Sequence, residues 1–170
     1  MDFVLPLVFL PGLAIGSFLG VVAARVPLHR SIVRPGSACM SCEASISWYD
    51  NIPVLSYALL RGRCRRCGVR IPPRDLAIEL TTALLLVGCV LAFGLTARTA
   101  SAAIGCAALV VATATDLERR IVPNKVVLPA AAAVLVLQTV FYPSPQWALG
   151  AVGAAGFLFV AALAYPGGMG

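Results

Sequence analysis

The sequence predicts an all-α integral membrane protein with about five transmembrane helices. First, 60% of the 170 residues are hydrophobic and only 12% are charged, which leaves too little polar surface to cover a soluble globule of this size. Second, five apolar stretches approach the roughly 17 to 25 residues that a helix needs to cross a bilayer. They cover residues 3–26, 76–93, 99–115, 126–142 and 147–165.

The basic residues predict the orientation of these spans. Most of the thirteen Lys and Arg residues lie between positions 25 and 74, and three more follow the third stretch. Positive charge marks the cytoplasmic side, so we expect the N-terminus outside, and residues 27–75, residues 116–125 and Gly170 inside. The first stretch lacks a preceding basic segment and a small-residue cleavage site, so we interpret it as a retained span rather than a signal peptide. These cytoplasmic residues account for the net charge of +6, and we expect no nucleic acid partner.

The polar segment at residues 27–75 contains two Cys-x-x-Cys pairs, Cys39 with Cys42 and Cys64 with Cys67. Each pair can supply two corners of a tetrahedron of thiolates about 2.3 Å from a zinc ion. A cytoplasmic loop is in a reducing compartment, which disfavours disulfides. We also expect the arginines clustered around the second pair to lower the pKa values of the thiols. The spacing therefore predicts a zinc-binding cytoplasmic loop with a structural metal; a redox-active or metal-free set of cysteines is the alternative.

The other cysteines and the single histidine favour structural roles. Cys89 and Cys106 lie among Val, Leu and Ala inside predicted spans, where a cysteine behaves as a small core residue. His29 lies near two arginines at a predicted membrane edge. Without a second histidine or a convincing nucleophile nearby, a Ser-His or Cys-His hydrolase has little support.

Acidic residues are scarce, seven in all, so their positions near the spans are informative. Asp116 ends the third span, where its charge opposes the helix dipole. Because charged groups at membrane depth are costly, they are functional candidates. An exposed aspartate paired with Arg119 or Arg120 is an equally favoured interpretation. Glu79 lies in the first turn of the second span, where a structural role is slightly favoured over a catalytic one.

Four segments in a fixed order carry a resemblance to a known family. They are GSFLGVVAARVP at 16–27, WYDNIPVLSYALLRGRCRRC at 48–67, RIPPRDLAIELTTALLL at 70–86 and TDLERRIVPN at 115–124. Together they resemble the type IV prepilin peptidases, also called leader peptidases. The resemblance covers nearly the whole chain, and no single motif carries it alone.

The resemblance implies a multi-pass aspartic protease of the bacterial cytoplasmic (inner) membrane. Members remove the leader of type IV prepilins or pseudopilins at the cytoplasmic face of the lipid bilayer. Bifunctional members then N-methylate the new terminus with S-adenosylmethionine, and members with four cysteines in the first cytoplasmic loop are typically of that kind. The chain would then divide into a first transmembrane helix (1–26), the four-cysteine zinc loop (27–75) and an incomplete transmembrane peptidase domain (76–170).

The resemblance also implies the catalytic acids. Asp116 matches one catalytic aspartate, ahead of Arg-Ile-Val-Pro-Asn at 120–124, where Val122 is a departure from the family pattern. The second acid belongs to a Gly-x-Gly-Asp motif, whose first three residues match 168–170, where the sequence ends. Because a carboxylate pair divides the acid and base roles between two groups, we expect this chain to be truncated before its second aspartate and inactive as a peptidase. The alternative is a non-cleaving short paralogue or membrane adapter that binds prepilin through the zinc loop.

Overall fold

The computed structural model describes residues 4–34, 36–39 and 41–164. Over these residues the secondary structure is helical, with two isolated antiparallel bridges and no strand. Two 3₁₀ helices lie at Val26–Leu28 and Trp48–Asn51. The α-helices are α1 (Val4–Arg25), α2 (Leu55–Leu59), α3 (Pro73–Phe93), α4 (Ala97–Arg119), α5 (Asn124–Phe141) and α6 (Pro145–Ala164). The all-α class predicted from the sequence is confirmed.

Four of these helices, α1, α3, α4 and α5, are long and apolar enough to cross a membrane, and α6 contains a shorter apolar segment. The five predicted stretches coincide with these helices to within a few residues. The largest difference is at α4, which continues past Asp116 to Arg119. Pro123 is the residue directly before the first residue of α5. The glycines at 168–170 lie outside the described residues.

The closest helix contact joins α1 to α3 through glycines spaced four residues apart. A Cβ atom added to Gly12 would lie 2.8 Å from the Ala83 Cα atom, and one added to Gly16 would lie 2.6 Å from the Glu79 Cα atom. Helices in a membrane approach this closely only where small residues form the contact. The spacing in α1 therefore fixes the register in which α3 lies antiparallel to it.

A small hydrophobic core lies near one end of the helix bundle. The cysteine loop lies at this same end, which we call the loop end. Its buried residues come from α1, α3 and α4: Val22, Ala23, Ile78, Val110, Val111 and Ala114. Leu19, Val26 and Val126 pack against them. These residues adjoin the last turns of α1 and α4. The core therefore fixes the position of the end of α4 that carries Asp116.

Candidate functional site

The four cysteines predicted as metal ligands are brought together by two equivalent knuckles. In the first, the Cys39 N–H donates to the Ala44 carbonyl and the Glu43 N–H donates to the Cys39 carbonyl. In the second, the Cys64 N–H donates to the Val69 carbonyl and the Gly68 N–H donates to the Cys64 carbonyl. Each knuckle is closed by an isolated bridge between flanking residues. Glu43 and Gly68 occupy the same left-handed position, with φ of 54° and 70°.

The geometry of this four-cysteine cluster fits a tetrahedral metal. The four Sγ atoms of Cys39, Cys42, Cys64 and Cys67 all lie within 4.8 Å of one another, and those of Cys39 and Cys67 are 3.7 Å apart. Zinc–sulfur bonds of about 2.3 Å in a tetrahedron require sulfur atoms about 3.8 Å apart. The thiol donors and their spacing therefore fit zinc, and a closed set of four protein ligands is the arrangement of a structural site.

The thiol pKa values are controlled by the fold of the knuckles. Hydrogen bonds from the backbone N–H of Cys42 and of the residue before it lower the pKa of Cys39 to about 6. The backbone N–H of Val69 lowers the pKa of Cys67, but desolvation and the three neighbouring thiols outweigh it and raise that pKa to about 12. The expectation that nearby arginines lower all these values is wrong. A bound cation would remove this difference between the thiols, because it would stabilise the thiolate forms of all four cysteines together.

One ion pair ties the second knuckle to the segment between the two pairs of cysteines. Arg65 donates two hydrogen bonds to the Asp50 carboxylate through Nε, at 3.0 and 2.8 Å, and a third at 2.7 Å through a terminal nitrogen. This carboxylate raises the pKa of the Arg65 guanidinium. The guanidinium also lies over the Tyr49 ring, 5.8 Å from its centroid. The contact links the 3₁₀ helix at Trp48–Asn51 to the metal cluster.

Asp116, the predicted catalytic acid, lies in the last turn of α4 and is exposed. The Arg120 N–H donates to the Asp116 backbone carbonyl at the left-handed end of the helix. The side chain is therefore presented at the loop end of the bundle, beside the turn that leads into α5. Among the described residues, neither Arg119 nor Arg120 lies within ion-pair distance of Asp116.

Two other carboxylates near the loop end are committed to structural contacts. Glu118 pairs with Arg74, with 2.8 Å between the Arg74 Nε and a Glu118 carboxylate oxygen, which joins α4 to the start of α3. Glu79 is buried and lies in the second turn of α3, not the first. It accepts a hydrogen bond of 2.8 Å from the Val54 N–H. The structural role favoured for Glu79 agrees with this contact.

The remaining residues considered from the sequence, Cys89, Cys106 and His29, are not part of the four-cysteine cluster. The Sγ atoms of Cys89 and Cys106 are 3.9 Å apart between α3 and α4, consistent with small packing residues. His29 lies 3.2 Å from the Lys125 Nζ through its Nδ1. That contact joins the turn after α1 to the first turn of α5, at the loop end.

Comparison with known proteins identifies the family. A model described as the bacterial peptidase A24 N-terminal domain matches residues 10–93, and a model of the type IV leader peptidase family matches residues 103–170. The chain belongs to the type IV leader peptidase family. The resemblance noted in the sequence is thus confirmed. Together with its apolar helices, this membership describes a multi-pass membrane protein. No solved structure matches this leader peptidase homologue.

Three relatives of this leader peptidase homologue carry the name prepilin leader peptidase/N-methyltransferase. The relative from Myxococcus xanthus is 45% identical over 129 residues, which cover 76% of this chain and 38% of the relative. The relative from Bacillus subtilis is 35% identical over 94% of this chain and 64% of its own length. The relative from Klebsiella pneumoniae is 36% identical over 88% of this chain and 68% of its own length. The matched region is therefore only part of each relative.

Sequence reasoning missed two long-range contacts that shape the loop end. The hydrogen bond from Val54 to Glu79 joins residues 25 positions apart, and the ion pair from Arg74 to Glu118 joins α3 to α4. Neither has a local pattern that reveals it. The close packing of α1 against α3, in contrast, has a clear signal in the repeated Gly-x-x-x-Gly spacing of Gly12, Gly16 and Gly20.

Proposed function

We propose that the protein is a prepilin leader peptidase of the bacterial cytoplasmic membrane, which cleaves type IV prepilins or pseudopilins at the cytoplasmic face. The observation that carries this proposal is the exposed Asp116 in the last turn of α4, within the region matched by the family model. The names of the relatives support the substrate class. The basic residues at the loop end support the assignment of that end to the cytoplasm.

Asp116 would act as one member of a carboxylate pair. In such a pair an ionised acid takes a proton from water while a protonated acid polarises the scissile carbonyl. Like charges at close range supply this division by separating the two pKa values. Since Glu79 and Glu118 are engaged elsewhere, we assign neither as the second acid. The resemblance assigns that acid to a Gly-x-Gly-Asp motif, whose two glycines match Gly168 and Gly170.

The four-cysteine cluster would hold structural zinc through Cys39, Cys42, Cys64 and Cys67. Four thiolate ligands leave no open position for water or substrate, so the metal would fold the loop rather than take part in hydrolysis. The loop otherwise has few buried apolar residues: Trp48 is 80% exposed and Leu59 is 73% exposed. Zinc binding would therefore supply most of the free energy that keeps the loop folded.

The second proposed activity is N-methylation of the terminus exposed by cleavage, with S-adenosylmethionine as the methyl donor. It rests on the shared name of the relatives, prepilin leader peptidase/N-methyltransferase. It also rests on the four cysteines, which the family resemblance associates with bifunctional members. The amine to be methylated would be produced at the same membrane face as the zinc loop.

Leader release from a synthetic prepilin tests the proposed function. The protein translated from its full reading frame, purified with zinc and reconstituted in lipid, is expected to release the leader, which mass spectrometry identifies by its mass. The Asp116→Asn variant is expected to leave the substrate intact, because Asp116 would be one acid of the pair. An uncut substrate with the full reading frame would overturn the peptidase proposal and favour a prepilin-binding adapter.

A further inference from the structure

A cavity of about 370 Å³ lies between α1 and two segments of the cysteine loop. Its α1 wall is one face of the helix, which runs from Ala14 through Phe18 and Val21 to Arg25 at the spacing of successive helical turns. The loop closes the other side. Among the described residues, neither Asp116 nor any of the four cysteines lines it. The cavity is therefore separate from the candidate catalytic acid and from the metal cluster.

The α1 wall extends from the middle of a membrane span to its loop end. Ala14 lies at the centre of the apolar stretch 3–26, and Arg25 lies at the end of that stretch. At a rise of about 1.5 Å per residue, the two are about 16 Å apart along the helix axis, close to half of a hydrocarbon core of about 30 Å. The cavity therefore follows the depth of one leaflet, with its charged end at the membrane surface.

The cavity is on the side of α1 that faces away from α3. Gly16, which contacts α3, and the lining residue Phe18 are two positions apart, or about 200° around the helix. Phe18 is 52% exposed, and Val33 on the loop wall is 75% exposed. Exposed apolar groups grouped in this way mark contact with a membrane or a partner. Since α1 spans the bilayer, acyl chains have direct access to this wall.

Arg25 places a positive charge at the surface end of the cavity. Its terminal nitrogens donate hydrogen bonds of 3.1 Å to the Ser31 carbonyl and 3.2 Å to the Gly36 carbonyl. These bonds hold the guanidinium, which is charged at any physiological pH, against the loop. Arg30 and Arg34, both exposed, lie in the same segment of the loop. The other lining residues are apolar or neutral, so the wall suits an occupant with one anionic end and an apolar body.

The loop wall is held in place by a contact with α3. Asn51 and Pro53 line the cavity, and the N–H of the next residue, Val54, donates to the Glu79 carboxylate at 2.8 Å. Because Glu79 is buried in α3, this hydrogen bond fixes the segment against the helices. The Asn51 amide is a hydrogen-bond donor for phosphate or glycerol oxygens.

We propose that this cavity binds one anionic phospholipid from the leaflet at the loop end. The phosphate would lie at Arg25 and Asn51, and part of one acyl chain would lie along Phe18, while the rest of the lipid would remain in the bilayer. Anionic lipids are found in the cytoplasmic leaflet, the side to which the basic residues assign the loop end. The lipid would join α1 to segments on both sides of the first knuckle and so hold the cysteine loop against the membrane.

Lipid binding by the zinc-loaded, full-reading-frame protein in mild detergent tests the proposal. After delipidation, native mass spectrometry should detect one added phosphatidylglycerol per chain, and weaker binding of zwitterionic phosphatidylcholine. Arg25→Gln should weaken phosphatidylglycerol binding about fivefold, the contribution of one basic residue near an anionic surface. Val21→Trp, which fills the cavity from α1 and keeps the charge, should abolish retention of this lipid.

Two variants outside the cavity are the matched controls. Arg98→Gln removes an exposed charge at the opposite end of the bundle, in the first turn of α4. Val136→Trp adds the same bulk on α5, where Val136 is 58% exposed. Both should bind phosphatidylglycerol like the wild type. Zinc content should be unchanged in Val21→Trp, which decides the test even if Arg25→Gln loses zinc with its contacts to the loop.

Equal affinity of the wild type for the two lipids, or unchanged affinity in a zinc-loaded Arg25→Gln, would overturn the anionic assignment. Unchanged affinity in Val21→Trp would overturn the cavity as the site. So would a photoactivatable phosphatidylglycerol that crosslinks only outside residues 14–53. Displacement of the lipid by inorganic phosphate would show that an anion alone suffices and would contradict a lipid site. Binding of a prepilin peptide that is lost in Val21→Trp, without lipid binding, would assign the cavity to the substrate instead.

Discussion

The four-cysteine cluster and the Asp116 turn lie at the same end of the bundle but are built differently. The cluster takes its ligands from two short knuckles, each closed by hydrogen bonds within a few residues. The Asp116 turn presents one exposed acid, whose position depends on how α4 packs against α1 and α3. Each knuckle of the metal site thus depends on a short stretch of sequence, whereas a carboxylate pair requires contact between helices that are distant in sequence.

The difference also separates the expected consequences of mutation. Damage to a knuckle should unfold the loop and leave the helix packing intact, because the loop contributes little to the core of α1, α3 and α4. Damage to that packing should affect the Asp116 turn and leave the metal ligands in place. The comparison can therefore be tested by variants that act on one region at a time.

The largest expected effect is on zinc retention in Cys39→Ser. Loss of one of four thiolates should release most of the zinc, since structural zinc binding is worth roughly 10–16 kcal/mol and depends on the complete ligand set. Metal analysis of the purified protein measures this, and trypsin cleavage at the arginines between 61 and 70 reports unfolding of the loop. Cys106→Ser is the control and should retain zinc. Full zinc content with a protected loop in Cys39→Ser would contradict the assignment of Cys39 as a zinc ligand.

The next effect concerns the contact between α1 and α3. Gly16→Val should lower the free energy of unfolding by about 1–3 kcal/mol or more, because its Cβ atom would lie 2.6 Å from the Glu79 backbone. Gly88→Val is the matched control, since a Cβ atom there meets nothing within 4 Å. Unfolding in mild detergent measures both. Equal stability of the two variants would show that the helices do not pack in this register.

A smaller effect should distinguish the two knuckles. Glu43 adopts the left-handed conformation that Gly68 adopts in the second knuckle, and a residue with a side chain is strained there by about 1 kcal/mol. Glu43→Gly should therefore tighten zinc binding several-fold, while Gly68→Ala should weaken it by a similar factor. Competition with a chelator measures both affinities. Changes of the same sign in the two variants would contradict the equivalence of the knuckles.

The smallest effect is expected for the ion pair between Arg74 and Glu118. The side chains are 25% and 37% exposed, and partly exposed pairs typically contribute about 0.2–1 kcal/mol. A double-mutant cycle with Arg74→Gln and Glu118→Gln should give a coupling energy in this range. A much larger coupling would mean that this ion pair, rather than apolar packing, holds α3 against α4 at the loop end.

The sequence predicted most of the fold because its signals were local. Length and hydropathy are sufficient to locate a span, and each Cys-x-x-Cys spacing is sufficient to bring its own two thiols together. The two pairs meet only in the folded loop. The hydrogen bond from the Val54 N–H to Glu79 could not be predicted, because it depends on the α1–α3 register and on a loop folding back onto it. For the same reason the sequence predicts Glu79 in the first turn of a helix, whereas in the structure it is a buried hydrogen-bond acceptor in the second turn.

The most direct test of the account is leader release by Asp116→Asn in the protein from the full reading frame, with zinc measured on the same preparation. We expect a normal zinc content and a loss of cleavage of at least about 100-fold, as when a general acid or base is removed. Glu118→Gln, two positions away and paired with Arg74, should keep most of its activity. Cleavage by Asp116→Asn at the wild-type rate would contradict the assignment of Asp116 as a catalytic acid.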